Sequence, residues 1–197
     1  MLKFKIILAG AKDVGKSSLI ARYCDNVFSE SMHDTIGVAF KRKKIQINEN
    51  QDIEINIWDF GGDLKYRLLF PSYVNGASAA FILYDTTNRE SLDDIKNWVQ
   101  LIRENINYDN TVKILIGTKI DLEDQRVIHK PEAIEISKQY GCSIEPIETS
   151  AKTGENVEEA FIALTHEIIK MRLRECKSCS EYFTKKLKFC PKCGEIV

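Results

Sequence analysis

The sequence predicts a doubly wound, mostly parallel α/β sheet of six strands with one antiparallel edge strand, followed by a small C-terminal appendage. Three observations predict it. Strand-like and helix-like apolar patterns alternate from Phe4 to Met171, one hairpin interrupts that alternation, and near Arg174 the helical pattern gives way to cysteines and lysines. Phe4, Ile6 and Leu8 alternate on a first strand, and Leu19 and Ile20 belong to the helix after it. Two strands follow, Val38 to Ile47 and Ile53 to Trp58, joined by the turn-forming Asn48-Glu49-Asn50. Ala79 to Tyr84 is a near-continuous apolar run, as a strand covered by helices on both faces should be. Ile95, Trp98, Val99, Ile102 and Ile106 recur at helical spacing, and Val112 to Ile116 is another buried strand. Pro131 suits the first turn of a helix ending near Gly141. A last strand is expected from Ile144 to Thr149. The stripe Val157, Ala160, Phe161, Leu164, Ile168, Met171 predicts a long final helix.

At 197 residues the chain has room for one ordinary domain and an appendage. We expect a division into 1–174 and 175–197. Charged residues at 29% and a net charge of −1 exclude a globally basic nucleic-acid coat. No apolar run approaches a membrane span. The opening MLKFKIILAG is interrupted by Lys3 and Lys5 and no small-residue cleavage site follows, so it reads as a buried strand rather than a signal peptide. An intracellular, cytoplasmic setting is therefore expected. Cys24 and Cys142 stand alone and read as small buried hydrophobes.

Directly after the first strand comes Gly10-Ala11-Lys12-Asp13-Val14-Gly15-Lys16-Ser17, a full match to GxxxxGK[ST]. Gly10 and Gly15 permit backbone conformations that turn successive N–H groups onto phosphate oxygens. Lys16 reaches the β- and γ-phosphates, the Ser17 hydroxyl ligates Mg²⁺, and the next helix aims its positive end at the same anion. Thr118-Lys119-Ile120-Asp121 lies at the carboxyl end of a strand, where nucleotides bind in such sheets. The Asp121 carboxylate can accept from N1–H and the 2-amino group of guanine, a pairing adenine cannot offer. The Lys119 stem can cover the base. In Thr149-Ser150-Ala151-Lys152 the Ala151 N–H can reach the guanine O6.

The order GAKDVGKS, TIGVAF, WDFGG, TKID, TSAK resembles the Ras superfamily, with a P-loop NTPase fold, from the first residue to about Arg172. The stretches Thr35 to Phe40 and Tyr84-Asp85-Thr86-Thr87-Asn88 are most similar to the Rab branch. The resemblance implies GTP and GDP binding, Mg²⁺ dependence, slow hydrolysis and two switch loops that report the γ-phosphate. It implies effectors, an exchange factor and an activating protein as partners, and work in membrane or vesicle traffic. Thr35 resembles the switch threonine that closes on Mg²⁺ and γ-phosphate, Asp59 the water-mediated Mg²⁺ partner, and Gly62 the glycine whose N–H senses the γ-phosphate. Phe28 matches the aromatic residue edge-on to the base. Asp13, Val14, Ser18, Leu122, Ser150 and Lys152 are carried over as nucleotide contacts.

Three departures bear on mechanism. Asp63 follows Gly62 where the family has a glutamine that orients the attacking water; Asp is shorter, and its charge repels the γ-phosphate. Lys12 occupies a position that is usually small. It either obstructs an arginine supplied in trans, or brings its ammonium to the γ-phosphate in cis, or is a solvated lysine at the entrance. Phe60 and Gly61 replace Thr-Ala ahead of the switch glycine. The expectation is a slow cycling switch in which Lys16, Thr35, Gly62, Asp63 and Lys12 bear on catalysis. The alternative is a GTP-locked binding platform with vestigial hydrolysis.

Cys176-Lys177-Ser178-Cys179 and Cys190-Pro191-Lys192-Cys193 are two CxxC knuckles separated by ten residues. Each puts two thiolates on one turn, and two together complete a tetrahedral site of four sulfurs. We expect Zn²⁺, with rubredoxin-like iron and disulfides as the alternatives. Four thiolates leave no open position, so the ion is structural. The spacer suffices for a hairpin from Tyr182 and Phe183 to Phe189. Lys185, Lys186, Lys188 and Lys192 make the segment basic, and it reads as a cap or a protein-docking module. Nucleic acid is not expected, and attraction to anionic lipid is the further alternative. Cys193 is the fifth residue from the end, in Cys193-Gly194-Glu195-Ile196-Val197, so no CaaX box is formed, no myristoylation glycine is present, and no lipid anchor is expected. The ribbon then serves as the targeting device, on a monomer.

Overall fold

The computed structural model describes residues 1–31 and 35–196, with Leu64 described for its backbone alone. Val197, the last residue of the expected ribbon, lies outside the described residues. The elements in chain order are β1 (Leu2–Ala9), α1 (Lys16–Asp25), β2 (Val38–Asn48), β3 (Gln51–Phe60), α2 (Leu64–Arg67), α3 (Phe70–Val74), β4 (Ala79–Asp85), α4 (Arg89–Asp93), α5 (Ile95–Asn105), β5 (Val112–Thr118), α6 (Lys130–Gln139), β6 (Ile147–Glu148), α7 (Val157–Arg172), β7 (Leu173–Glu175) and β8 (Tyr182–Thr184).

The first six strands form one sheet in the order β2-β3-β1-β4-β5-β6. β1 runs parallel to both β3 and β4, β4 to β5 and β5 to β6, while β2 pairs antiparallel with β3 at the edge. The order reverses between β1 and β4, which leaves a crevice at their carboxyl ends. Strand alternation divides the core. Phe4, Ile6 and Leu8 of β1 pack with α1 and α7 on one face, and Ile7 and Ala9 pack with α3, α5 and α6 on the other. Tyr23 of α1 stacks on Phe161 of α7 with centroids 3.6 Å apart, and Phe161 meets Phe81 of β4 edge-on. On the opposite face Trp98 of α5 is fully buried against Phe70. Truncating such a residue to alanine costs about 3–5 kcal/mol.

Two expectations are corrected. The last strand of the main sheet is two residues long rather than six, because Pro146 has no N–H to give a ladder. The ribbon hairpin does not join Tyr182 and Phe183 to Phe189. β8 instead pairs with β7, Leu173 opposite Thr184, and Phe189 bridges to Ile196. A CxxC knuckle is itself a tight turn, so paired strands flank each knuckle instead of filling the spacer between them.

The ribbon is continuous with the core. α7 gives way at once to β7, and Leu173 joins the core layer of α1 and α7. Lys185 closes the end of α7: its N–H donates to the Arg172 carbonyl at 3.0 Å and its Nζ to that of Lys170 at 2.7 Å.

Candidate functional site

The loop from Gly10 to Gly15 leaves β1 at the crevice. Gly10 has φ +155°, and a Cβ there would sit 2.6 Å from the Leu83 carbonyl, so only glycine fits between β1 and β4. Gly15, at φ 88°, turns the chain into α1. Thr118 Oγ1 donates to the Val14 carbonyl at 2.7 Å, fixing the loop to β5. The Lys16 ammonium folds back along the loop and donates to the carbonyls of Gly10 (2.8 Å) and Ala11 (2.7 Å). Burial pushes its pKa down to about 8, against the pull of Asp59 and Asp13. A charged amine held over backbone carbonyls is poised for an anion.

Beside it the Ser17 and Thr35 hydroxyls lie 2.7 Å apart, and both donate to Asp59 Oδ2, the Thr35 bond measuring 3.1 Å. Burial raises the Asp59 carboxyl above the usual carboxylate range, offset by Ser17, Lys16 and Thr35. Its Oδ1 is buried with no hydrogen-bond partner. Two hydroxyls and an under-satisfied carboxylate, all oxygen donors, suit a hard divalent cation such as Mg²⁺. Thr35 comes from the segment before β2 and Asp59 from β3, so the hairpin brings both to α1.

The glycines after Asp59 are closed in. A Cβ on Gly61 would lie 2.5 Å from the Thr35 carbonyl and from the Tyr66 ring, and one on Gly62 would lie 2.4 Å from the Lys12 backbone nitrogen. Gly61 N–H donates to the Gly37 carbonyl at 3.0 Å, tying the segments before β2 and after β3 together. Phe60 is buried against Phe70, which ties the loop to α3. Asp63 takes the N-cap position of α2, where Oδ1 accepts from Lys65 N–H at 3.3 Å, and its carboxylate pairs with Lys65 Nζ at 3.5 Å. Lys12 and Lys65 both line the same cavity.

At the other end of the cavity, Asp121 Oδ1 accepts from Ser150 Oγ at 2.6 Å, which fixes the carboxylate. Lys119, in a left-handed conformation at φ 62°, pairs with the buried Asp85 at 2.7 Å and so lays its stem along the wall. Ser150 Oγ also accepts from Thr153 N–H (3.1 Å), and the Ser150 carbonyl from Gly154 N–H (2.8 Å), which shapes the loop holding Ala151. Phe28, half-buried, completes this end.

These segments enclose one cavity of about 870 Å³, with the amine and hydroxyls at one end and the carboxylate and aromatic ring at the other. Most of the residues singled out in the sequence line it, Ser18 and Leu122 among them. Gly10, Val14, Asp59 and Ser150 stand behind the wall as supports for those that do. Sequence reasoning missed Arg22, Glu30 and Asp85. Arg22 donates to the carbonyls of Ala151 and Lys152, Glu30 pairs with Lys152 at 3.0 Å, and Asp85 holds Lys119. Asp85 lies in the stretch from Tyr84 to Asn88, but nothing local reveals its pairing with Lys119, and no short motif marks Arg22 or Glu30, because each acts through a neighbour far away in the chain.

A second site lies in the ribbon. The sulfurs of Cys176, Cys179, Cys190 and Cys193 all lie within 4.8 Å of one another. Cys176 and Cys193 are 3.6 Å apart, as are Cys179 and Cys190. A disulfide needs about 2.05 Å, whereas four sulfurs about 2.3 Å from a central ion stand roughly 3.8 Å apart. The two knuckles repeat one backbone pattern. Cys176 N–H donates to Glu181 and Ser180 N–H to Cys176; Cys190 N–H donates to Glu195 and Gly194 N–H to Cys190. Ser180 and Gly194, each just past its knuckle, both have positive φ. The donor set and geometry fit a tetrahedral thiophilic ion.

The Ras family model matches residues 5–170. Human Ras-related protein Rab-8B is 36% identical over 166 residues, covering 84% of this chain and 78% of that protein. Ras-related protein Rab-1 of Theileria annulata is 43% identical over 162 residues, covering 82% and 72%. Rab-13 of Canis lupus familiaris is 34% identical over 166 residues, covering 84% and 80%. The ribbon falls beyond the matched residues, and over the rest of its length this chain belongs to the Ras family of small GTPases, with Rab proteins among its relatives.

Proposed function

We propose that this chain is a GTP/GDP switch with slow, Mg²⁺-dependent hydrolysis that recruits partner proteins in membrane traffic, the setting suggested by its Rab relatives. The observation that carries the reading is the cluster of Ser17, Thr35 and Asp59 with Gly62 against the phosphate loop. It joins the segments before β2 and after β3 at the point where a γ-phosphate would lie. Lys16 binds the β- and γ-phosphates. Ser17 and Thr35 hold Mg²⁺, with Asp59 behind them. When bound, the ion supplies charge neutralisation at the phosphate oxygens. The Gly62 N–H reports the γ-phosphate, Asp121 and the Ala151 N–H read guanine, and Lys119 and Phe28 cover the base.

A second reading, a GTP-locked platform, draws support from Asp63. Its carboxylate is engaged in capping α2, so the residue after Gly62 is occupied away from the attacking water. The experiment that separates the two is a time course of GTP turnover on purified, Mg²⁺-loaded protein, with the bound nucleotide read by chromatography after denaturation. Slow conversion to retained GDP supports the cycling switch. GTP that stays intact, and stays so with candidate activating proteins, supports the platform. A chain that retains no guanine nucleotide refutes both.

We also propose residues 175–197 as a zinc ribbon, joined to the core through β7 and built on one Zn²⁺ held by the four cysteines, serving as a protein-docking module. The support is the closed four-sulfur geometry and the small core around Cys176, Phe183 and Cys190.

A further inference from the structure

Arg22 lies on the last turn of α1, half-buried, on the side of the base-binding end of the cavity. Two of its three guanidinium nitrogens donate to backbone carbonyls 129 and 130 residues away. Nε donates to the Ala151 carbonyl at 2.7 Å and Nη2 to the Lys152 carbonyl at 2.9 Å. Nη1 donates to Asn26 Oδ1 at 3.0 Å, where Asn26 caps α1 two residues before Phe28. One planar group thus spans the loop that carries Ala151 and the chain that carries Phe28.

We propose that Arg22 is a positioning residue for the guanine base, holding the Ala151 N–H on the purine 6-oxo group. The inference rests on the reading of Ala151 as the O6 donor and adds what aims it. The Ala151 N–H belongs to the peptide plane whose carbonyl, on Ser150, is held by Gly154 N–H. The next two carbonyls along the chain, those of Ala151 and Lys152, are the ones held by Arg22. Three successive peptide planes are therefore pinned, and the N–H has no freedom to swing away from the base. Arginine suits the task because its donors are fixed in one fork, whereas a lysine ammonium offers only a point charge on a flexible stem. The Lys152–Glu30 pair ties the same loop at the surface but is exposed and contributes little by comparison.

The test compares affinities of wild type and Arg22→Ala for three ligands: GDP, IDP, and 6-thio-GDP. IDP keeps O6 but lacks the 2-amino group. 6-Thio-GDP keeps N1–H and the 2-amino group but replaces O6 by sulfur, a poor acceptor. Wild type should prefer GDP over 6-thio-GDP. Arg22→Ala should weaken GDP and IDP alike, on the order of ten- to a hundred-fold, because charge-assisted bonds position the donor. It should weaken 6-thio-GDP by about threefold or less, so that the preference for oxygen collapses. Equal losses on all three ligands would make Arg22 a general structural brace and overturn the proposal, as would no loss at all. A wild type indifferent to the sulfur would instead remove the Ala151–O6 contact itself, and the proposal with it, while leaving Asp121 untouched. Arg22→Lys, with charge kept and fork lost, guards against misfolding of the alanine variant. It should show a reduced oxygen preference, and full wild-type preference in it would refute the geometric argument.

Discussion

The side-chain amide of Gln51, at the start of β3, exchanges two 2.7 Å hydrogen bonds with the backbone of Tyr182: Nε2 donates to its carbonyl and Oε1 accepts from its N–H. A side chain thus takes the place of a neighbouring strand at the edge of β8. Asn48, on the other side of the β2–β3 turn, adds a 3.0 Å bond to the Ser180 carbonyl. Gln51→Ala leaves the Tyr182 amide without its partner, and docking of the ribbon should weaken by about 1–3 kcal/mol. Hydrogen exchange should report it: Tyr182 and its β8 neighbours exchange faster in the variant, while β4 and β5 are unchanged. Equal protection in both proteins would mean that the amide pair contributes nothing to docking.

The four-cysteine site makes a stoichiometric prediction. Native mass spectrometry should find one zinc per chain, and Cys176→Ser or Cys190→Ser should lose it, because both cysteines are buried in the ribbon's own small core. Metal binding needs thiolates, so protons compete with the ion and acid should release it with an uptake of more than one proton per zinc. Release that is indifferent to pH would rule out thiolate ligation.

The proposed base selectivity would rest on a fixed carboxylate. Asp121 is oriented by Ser150 Oγ at 2.6 Å. Asp121→Asn keeps an acceptor for that hydroxyl and reverses the pattern offered to the purine, so preference should move from guanine toward xanthine nucleotides by on the order of 10²–10⁴. Competition binding of GDP against XDP measures it, and an unchanged ratio would take Asp121 out of the base site.

Gly62→Ala should give a switch that cannot close. An added methyl would lie 2.4 Å from Lys12 N and 2.5 Å from the Ala11 carbonyl carbon and oxygen, all backbone. Gly62→Ala should still fold and bind GDP, since the base end and Lys16 are untouched. Its GTP- and GDP-bound forms should become alike in hydrogen exchange across 35–37 and 61–67. A full GTP-dependent difference in the variant would show that Gly62 need not approach the loop.

The sheet, its edge hairpin and the long helices were legible in the sequence because each follows a period long enough to detect: β4 and β5 as apolar runs, α5 and α7 as stripes. α2, α3 and α4 were not, since four or five residues span little more than one turn and show no period. The segments proposed to bind phosphate and base, which line one cavity, were legible because each is local, a few residues on one loop. Arg22, Glu30 and Asp85 were not, because each acts on a residue that only the fold brings near. The ribbon's pairing was misread for the same reason: the cysteine spacing announces a metal site, but which strands flank a knuckle depends on where α7 ends and β7 begins.

Asp63 is where two accounts of the proposed slow hydrolysis part. If its charge repels the γ-phosphate, neutralising it should speed the reaction. If it merely caps α2, neutralising it while keeping the cap should change little. Asp63→Asn does this, since asparagine retains an acceptor for the Lys65 N–H and is an equally good N-cap. The geometry favours the second account: the carboxylate is turned to Lys65 N and Nζ, so single-turnover hydrolysis in Asp63→Asn should stay within about threefold of wild type. Asp63→Gln is the complementary change. It offers an amide long enough to orient water and weakens the cap, at a cost of about 0.5–2 kcal/mol in α2. Its rate should rise by roughly tenfold or more if water orientation is what the wild type lacks. Lys12→Ala placed on both backgrounds completes the set. A fall of about tenfold relative to each background would assign the ammonium to charge stabilisation in cis, whereas an unchanged rate would leave that position to the entrance of the cavity. A fast Asp63→Asn with an unaltered Asp63→Gln would reverse the argument and make electrostatic repulsion, not a missing water ligand, the brake.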